Sequence, residues 1–149
     1  MSAAANGALA AVLIIPVVAA AALGFVASYR LGAAINVLAT ALTQIAAWAL
    51  VFARPAPSMY LQVDDFNIFL VILNTFVAFT TSVFSASYIA HELATGRLTR
   101  GYLRFYHAMY QVLMLGMNLA LLANNIGLMW VAIELATLTT VMMVGIYRT

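Results

Sequence analysis

Residues 102–147 have the sequence YLRFYHAMYQVLMLGMNLALLANNIGLMWVAIELATLTTVMMVGIY. This stretch contains two apolar runs on either side of a short turn at residues 124–127. Each run is close to the length of about 20 residues that a helix needs to cross a bilayer. Because the turn is so short, the two helices must be antiparallel neighbours. This stretch predicts a helical membrane protein.

The composition of the whole chain supports the same fold class. Of the 149 residues, 66% are hydrophobic and only 7% are charged, whereas a soluble domain has about a quarter charged residues. Three more apolar segments precede the quoted stretch. The predicted spans cover residues 8–28, 31–53, 66–90, 102–123 and 128–147. We therefore predict an all-α membrane protein with about five transmembrane helices in a single bundle.

The arginines predict the orientation of the bundle. The loops after the first, third and fifth spans contain all the arginines except Arg54, which lies on the opposite side. By the positive-inside rule, the N-terminus is outside and the C-terminus is cytoplasmic. The arginines on the cytoplasmic side are Arg30, Arg97, Arg100, Arg104 and Arg148. We expect a multi-pass protein of the inner, cytoplasmic cell membrane.

The composition also excludes several kinds of chemistry. The chain has no cysteine, which excludes thiolate-held iron–sulfur clusters and covalently attached c-type haem. The arginines are dispersed, which argues against a nucleic-acid surface, and no glycine-rich phosphate loop or metal-ligand spacing is present. We expect this chain to hold no cofactor, no metal and no catalytic residue, and to bind no nucleic acid.

The fourth predicted span has polar side chains on one face. At about 100° per residue, His107, Gln111, Asn118 and Asn125 project to the same side of a helix. One interpretation is helix–helix packing, since polar side chains often join helices in membrane bundles. The other is a water-lined proton path.

Glu134 is the acidic residue nearest the centre of a span. It lies about 12 Å from Ile126 along a helix that rises about 1.5 Å per residue, near the middle of a hydrocarbon core about 30 Å thick. A carboxyl at that depth costs several kcal/mol, so we expect it to face the bundle interior or a hydrated cavity. One hypothesis is a buried, protonated group hydrogen-bonded to a neighbour, and the other is proton translocation.

Two polar neighbours of Glu134 follow from the helix geometry. Asn118 lies at nearly the same depth on the adjacent span, and Thr137 is three residues further along the same helix. Neither is charged. Under the proton-translocation hypothesis, the predicted polar path contains Asn118, Gln111, His107 and Thr137.

A family resemblance is visible in the same segments. Residues 130–138, WVAIELATL, resemble the glutamate-bearing helix of the antiporter-like membrane subunits of respiratory complex I, Mrp antiporters and energy-converting hydrogenases. Residues 64–92, DDFNIFLVILNTFVAFTTSVFSASYIAHE, followed by YLRFYHAMYQ and NLALLANN, most resemble the hydrogenase-4 component F type, also found in formate-hydrogenlyase-like complexes. The resemblance covers residues 60–149. Residues 1–59 are expected to match only as two apolar spans.

The resemblance implies a role for Glu134. It matches the family's intramembrane glutamate, which is thought to pair with a lysine on a later, broken helix and to modulate the proton affinity of that lysine. This chain contains no lysine and stops before the broken helices. We therefore expect it to resemble only the N-terminal portion of a longer subunit, as a fragment, a split gene product or a truncated reading frame.

The implied function is that of a membrane-arm subunit, or part of one, in a complex like hydrogenase-4 or NADH–quinone oxidoreductase. It would couple electron transfer in other subunits to proton or sodium translocation through Glu134. Its partners would be the lipid bilayer, other membrane subunits and, through them, a hydrogenase or dehydrogenase arm. Two alternatives stay open: a component of an Mrp-type cation/proton antiporter, and a non-functional truncated product.

Overall fold

The computed structural model describes residues 2–145. Within this range the chain forms five α-helices, which are α1 (Ser2–Phe25), α2 (Tyr29–Phe52), α3 (Asn67–Ala94), α4 (Arg100–Leu122) and α5 (Ile126–Val144). All five are long and apolar enough to cross a membrane. The predicted all-α fold with five membrane-spanning helices is confirmed.

Local sequence signals determine where several helices begin and end. α1 begins at Ser2 rather than at residue 8, since alanine, abundant in this segment, is the strongest helix former. α2 ends just before Arg54 and Pro55, because the residue preceding a proline disfavours the helical conformation. Asn125 caps α5 by accepting hydrogen bonds from two backbone N–H groups of its first turn. The end of the fifth predicted span, residues 146–147, lies outside the described residues, as does Arg148.

The first four helices form a closed ring. α1 packs against α2, α2 against α3, α3 against α4, and α4 returns to α1, with a smaller contact between α2 and α4 across the ring. Among the described helices, α5 packs only against α4. The largest apolar cluster joins α1, α2, α3 and α4 and includes Val12, Leu50, Val71 and Leu122. The ring is therefore closed, whereas α5 lies on its outer surface.

The connection between α2 and α3, residues 53–66, is tied to the turn between α4 and α5. The Asn124 side chain donates a hydrogen bond to the carbonyl of Ser58 at 2.6 Å, and its backbone N–H donates to Tyr60 at 2.8 Å. Leu61 and Ala123 form an isolated antiparallel bridge. These bonds hold the two connections together at one end of the bundle.

α4 and α5 approach each other closely at Gly116. A Cβ atom at this position would lie 3.0 Å from the backbone nitrogen of Ala136 and 3.1 Å from the carbonyl oxygen of Ala132. Small residues allow such close backbone contact between membrane helices. The side of α5 that carries Ala132 and Ala136 thus faces α4.

Candidate functional site

Polar side chains meet inside the ring of α1 to α4. Gln111 donates a hydrogen bond from Nε2 to Asn36 Oδ1 at 2.7 Å, and the hydroxyls of Thr40 and Ser82 share a hydrogen bond of 2.8 Å. All of these side chains are buried. We call the set the interior polar file, and it comprises Asn36, Thr40, Thr43, Asn74, Thr75, Ser82, His107, Gln111 and Asn118.

Three residues of the predicted polar path belong to this file. His107, Gln111 and Asn118 lie on the face of α4 that is turned into the ring, and each is at most 1% exposed. Asn118 accepts a hydrogen bond from Asn74 Nδ2 at 2.8 Å and donates one to the carbonyl of Val12 at 3.5 Å. From His107 to Asn118 the file extends about 16 Å at about 1.5 Å per residue, roughly half the thickness of the hydrocarbon core.

Several atoms of the interior polar file have no hydrogen-bond partner within residues 2–145. They are both ring nitrogens of His107, Nδ2 of Asn36 and Oε1 of Gln111. The imidazole of His107 lies against Gly32 of α2, where a Cβ atom would be 3.5 Å from Cδ2. Since buried polar groups are normally hydrogen-bonded, these atoms need an explanation.

Within residues 2–145, the charged side chains that form ion pairs lie at the two ends of the bundle. Arg54 forms an ion pair with Asp65 at the end that carries the 53–66 connection. At the opposite end, Glu92 is buried and its Oε1 is 3.5 Å from Nη1 of the exposed Arg97. The interior polar file itself consists of hydroxyl, amide and imidazole groups, so its electrostatics come from dipoles.

Glu134 and Thr137 lie away from the file, on the exposed part of α5. Ala132 and Ala136 pack on α4, and Glu134 is two residues from each, about 200° around the helix. Thr137 donates its hydroxyl to the carbonyl of Ile133 at 2.9 Å. Among the described helices, the structure therefore differs from the expectation that Glu134 faces the bundle interior.

The anticipated proximity of Asn118 to Glu134 is also not found. Asn118 points into the ring, where its side chain is hydrogen-bonded to the side chain of Asn74 and to the carbonyl of Val12. Asn125, grouped with the polar face of α4 in the sequence, instead caps α5 through bonds to Gly127 and Leu128. α4 thus separates Glu134 from the interior polar file.

α2 also contributes to the interior polar file, although none of its residues belongs to the predicted polar path. Asn36, Thr40 and Thr43 are four and three residues apart, which places them on one helical face. The periodicity that identified the polar face of α4 would have identified this face as well. Which residue of α2 meets which residue of α4 depends on the register between the helices, which no local pattern specifies.

These features define a multi-pass membrane protein with a polar interior and a carboxyl group on an outer helix. The chain is similar to a hydrogenase-4 component F homolog of Methylacidiphilum infernorum (isolate V4), with 49% identity over 140 residues. The predicted resemblance to the hydrogenase-4 component F type is confirmed. No family model matches the chain, and no solved structure matches it.

The similarity covers more of the chain than the sequence analysis predicted. The alignment includes 94% of this chain, which is more than residues 60–149 contain, so most of α1 and α2 must be included. The expectation that residues 1–59 match only as two apolar spans was wrong. The chain spans 29% of the length of this relative, in keeping with a match to only part of a longer subunit.

Proposed function

We propose that this chain is part of a membrane-arm subunit of a hydrogenase-4-like complex in the cytoplasmic membrane. In this role it would help to couple electron transfer in other subunits to proton or sodium translocation. The proposal is supported by five membrane-spanning helices and by the similarity to a hydrogenase-4 component F homolog. That similarity favours a hydrogenase-linked complex over an Mrp-type antiporter.

The observation that carries the proposed coupling role is the position of Glu134. It lies near the middle of α5, on a face that no other described helix covers. A charged carboxyl facing hydrocarbon costs several kcal/mol, so a partner from outside residues 2–145 would be needed to stabilise the charged form. A basic group on a further helix or on another membrane subunit would provide it.

Such a partner would make Glu134 a switch. Gaining or losing a basic partner at this depth would change the electrostatic potential around the carboxyl, because little solvent is present to screen it. A neighbouring proton site would respond to that change in potential. Thr137, one turn further along α5, would line the same interface.

His107, Gln111 and Asn118 form the second part of the proposal. They would provide a polar route inside the ring, separated from Glu134 by α4. Their burial and shared face support this role. Because the two parts do not touch among the described residues, each can be tested by itself.

The test of the coupling role is Glu134→Gln in the complete complex. Gln keeps the shape and some hydrogen bonding of Glu but removes its titration. We expect assembly and redox activity to remain while ion translocation per electron, measured in inverted membrane vesicles, falls by about tenfold or more. Glu134→Asp should retain part of the coupling.

Thr140→Val serves as the matched control, because Thr140 is also exposed on α5 and bonds only to its own helix. A Gln variant with wild-type ion translocation per electron would contradict the coupling role. Sodium–proton exchange that continues without any electron donor would favour the antiporter alternative.

A further inference from the structure

A cleft opens at the end of the bundle opposite the 53–66 connection. It lies where α1 and α3 end and where α2 and α4 begin, and it has a volume of about 360 Å³. Binding sites for small molecules commonly measure about 300–1,000 Å³, so the cleft is large enough to hold a ligand. We call it the interfacial cleft, and its lining comprises Ala27, Ser28, Tyr29, Leu93 and Arg100.

The lining of the interfacial cleft offers hydrogen-bond donors and a positive charge. Arg100 is exposed and forms no ion pair within residues 2–145. Its guanidinium is a planar fork of N–H donors that matches two oxygens of a phosphate. Ser28 is exposed as well, and its hydroxyl makes no capping hydrogen bond to α2. Both side chains are therefore available to an anion.

The surrounding charges also favour an anion. α2 and α4 both begin at this end of the bundle, so the positive ends of two helix dipoles lie there. Among the described residues, Glu92 is the one carboxylate at this end, and it is buried beside Arg97. The arginines at the same end are Arg30, Arg97, Arg100 and Arg104. A cation would be repelled by this excess of positive charge.

The position of the cleft favours an anion carried by a lipid. Tyr29 and Arg100 are the first residues of membrane-spanning helices, so the cleft lies at the boundary of the membrane. Leu93 provides an apolar wall, and Phe25, two residues before Ala27, is 87% exposed. An acyl chain beside these apolar side chains would leave the phosphate of its lipid at the level of Arg100.

We propose that the interfacial cleft binds the phosphate of an anionic phospholipid such as phosphatidylglycerol. Arg100 and Ser28 donate hydrogen bonds to the phosphate, and Leu93 contacts the start of an acyl chain. Basic pockets between transmembrane helices are suited to acidic lipid head groups for these reasons. This inference goes beyond the proposed coupling role, because it depends neither on Glu134 nor on the interior polar file.

Native mass spectrometry of the full chain, released from detergent micelles, tests the proposal. The chain is titrated with phosphatidylglycerol or with phosphatidylcholine of the same acyl chains, and the lipid-bound fraction is measured. We expect one phosphatidylglycerol to bind at concentrations where phosphatidylcholine does not. Its affinity should fall about tenfold in Arg100→Gln, which removes the charged donors, and about threefold in Ser28→Ala, which removes one neutral donor.

Arg54→Gln is the matched control, because it removes the same charge from the other end of the bundle. It should leave the binding of phosphatidylglycerol unchanged. Arg100 is exposed in the first turn of α4, where glutamine is also a good helix former, so Arg100→Gln should fold. Ser28→Ala breaks no capping hydrogen bond, and it keeps the test decisive if Arg100→Gln does not fold.

Three results would overturn the lipid site. They are equal binding of phosphatidylglycerol and phosphatidylcholine, equal affinities in Arg100→Gln and Arg54→Gln, and release of the bound lipid by millimolar inorganic phosphate. The last result would indicate a site for a free anion instead. None of these results would bear on the coupling role of Glu134.

Discussion

Gly116→Ala is the substitution that most directly tests how α5 is held. The added methyl group would lie 3.0 Å from N and 3.3 Å from Cα of Ala136, and 3.1 Å from O of Ala132. Ordinary van der Waals contacts of a Cβ atom are 3.4–4 Å. All three atoms belong to the backbone of α5, so none can rotate away as a side-chain tip would. The two helices must separate by several tenths of an ångström.

The change in unfolding free energy caused by Gly116→Ala is the sum of two opposing contributions. Overpacking of a well-filled contact costs about 1–3 kcal/mol, while replacing glycine by alanine within a helix gains up to about 1 kcal/mol. Gly24→Ala on α1 isolates the second contribution, because nothing lies within 4 Å of the point that its added methyl group would occupy. The difference between the two variants should therefore be about 1–3 kcal/mol, with Gly116→Ala the less stable.

The two tryptophans provide the assay. Trp130 lies on α5 and Trp48 on α2, so a Trp48→Phe background reports on α5 alone. We expect Gly116→Ala to shift the denaturant transition of Trp130 fluorescence to lower denaturant than the transition of total helicity. Equal unfolding free energies for the Gly116 and Gly24 variants would refute the idea that close backbone contact holds α5 on α4.

Three further predictions concern orientation, transport and the polar interior. A cysteine at Ser58 should be labelled only from outside the cell, and labelling only from the cytoplasm would contradict the orientation predicted from the arginines. The purified chain in vesicles should show no ion-coupled transport, since Glu134 has no basic partner among the described residues, and measurable proton or sodium exchange would show that this chain suffices. Asn118→Leu should lower the unfolding free energy by about 1–3 kcal/mol, because it breaks the bond to Asn74 and leaves that amide unsatisfied, whereas Thr80→Val should have little effect in the same unfolding assay.

The sequence predicted the parts of the fold that depend on local patterns. Hydropathy identified the five helices, and the short turn at residues 124–127 identified α4 and α5 as antiparallel neighbours. The polar face of α4 was also visible, because its residues recur with the helical period. These features follow from the length that a helix needs to cross the bilayer and from the helical repeat. Both can be recognised within a single segment of sequence.

The direction in which Glu134 points could not be predicted in the same way. It depends on which face of α5 meets Gly116, and that contact is a property of two helices rather than one. Counting residues from the turn predicts similar depths for Asn118 and Glu134. Their side chains nevertheless point in different directions around the two helix axes, so they do not meet. The pairing of Gln111 with Asn36 likewise required the register between α2 and α4.

The hydrogen bonds of Asn124 and the cap provided by Asn125 fix the first turn of α5 to the 53–66 connection. The opposite end of α5 touches only α4 among the described helices. Glu134 lies between Ala132 and Ala136, whose backbone packs on Gly116. A displacement of Glu134 by a neighbouring subunit would therefore be passed first to α4, at Gly116, and through α4 to the ring of helices behind it.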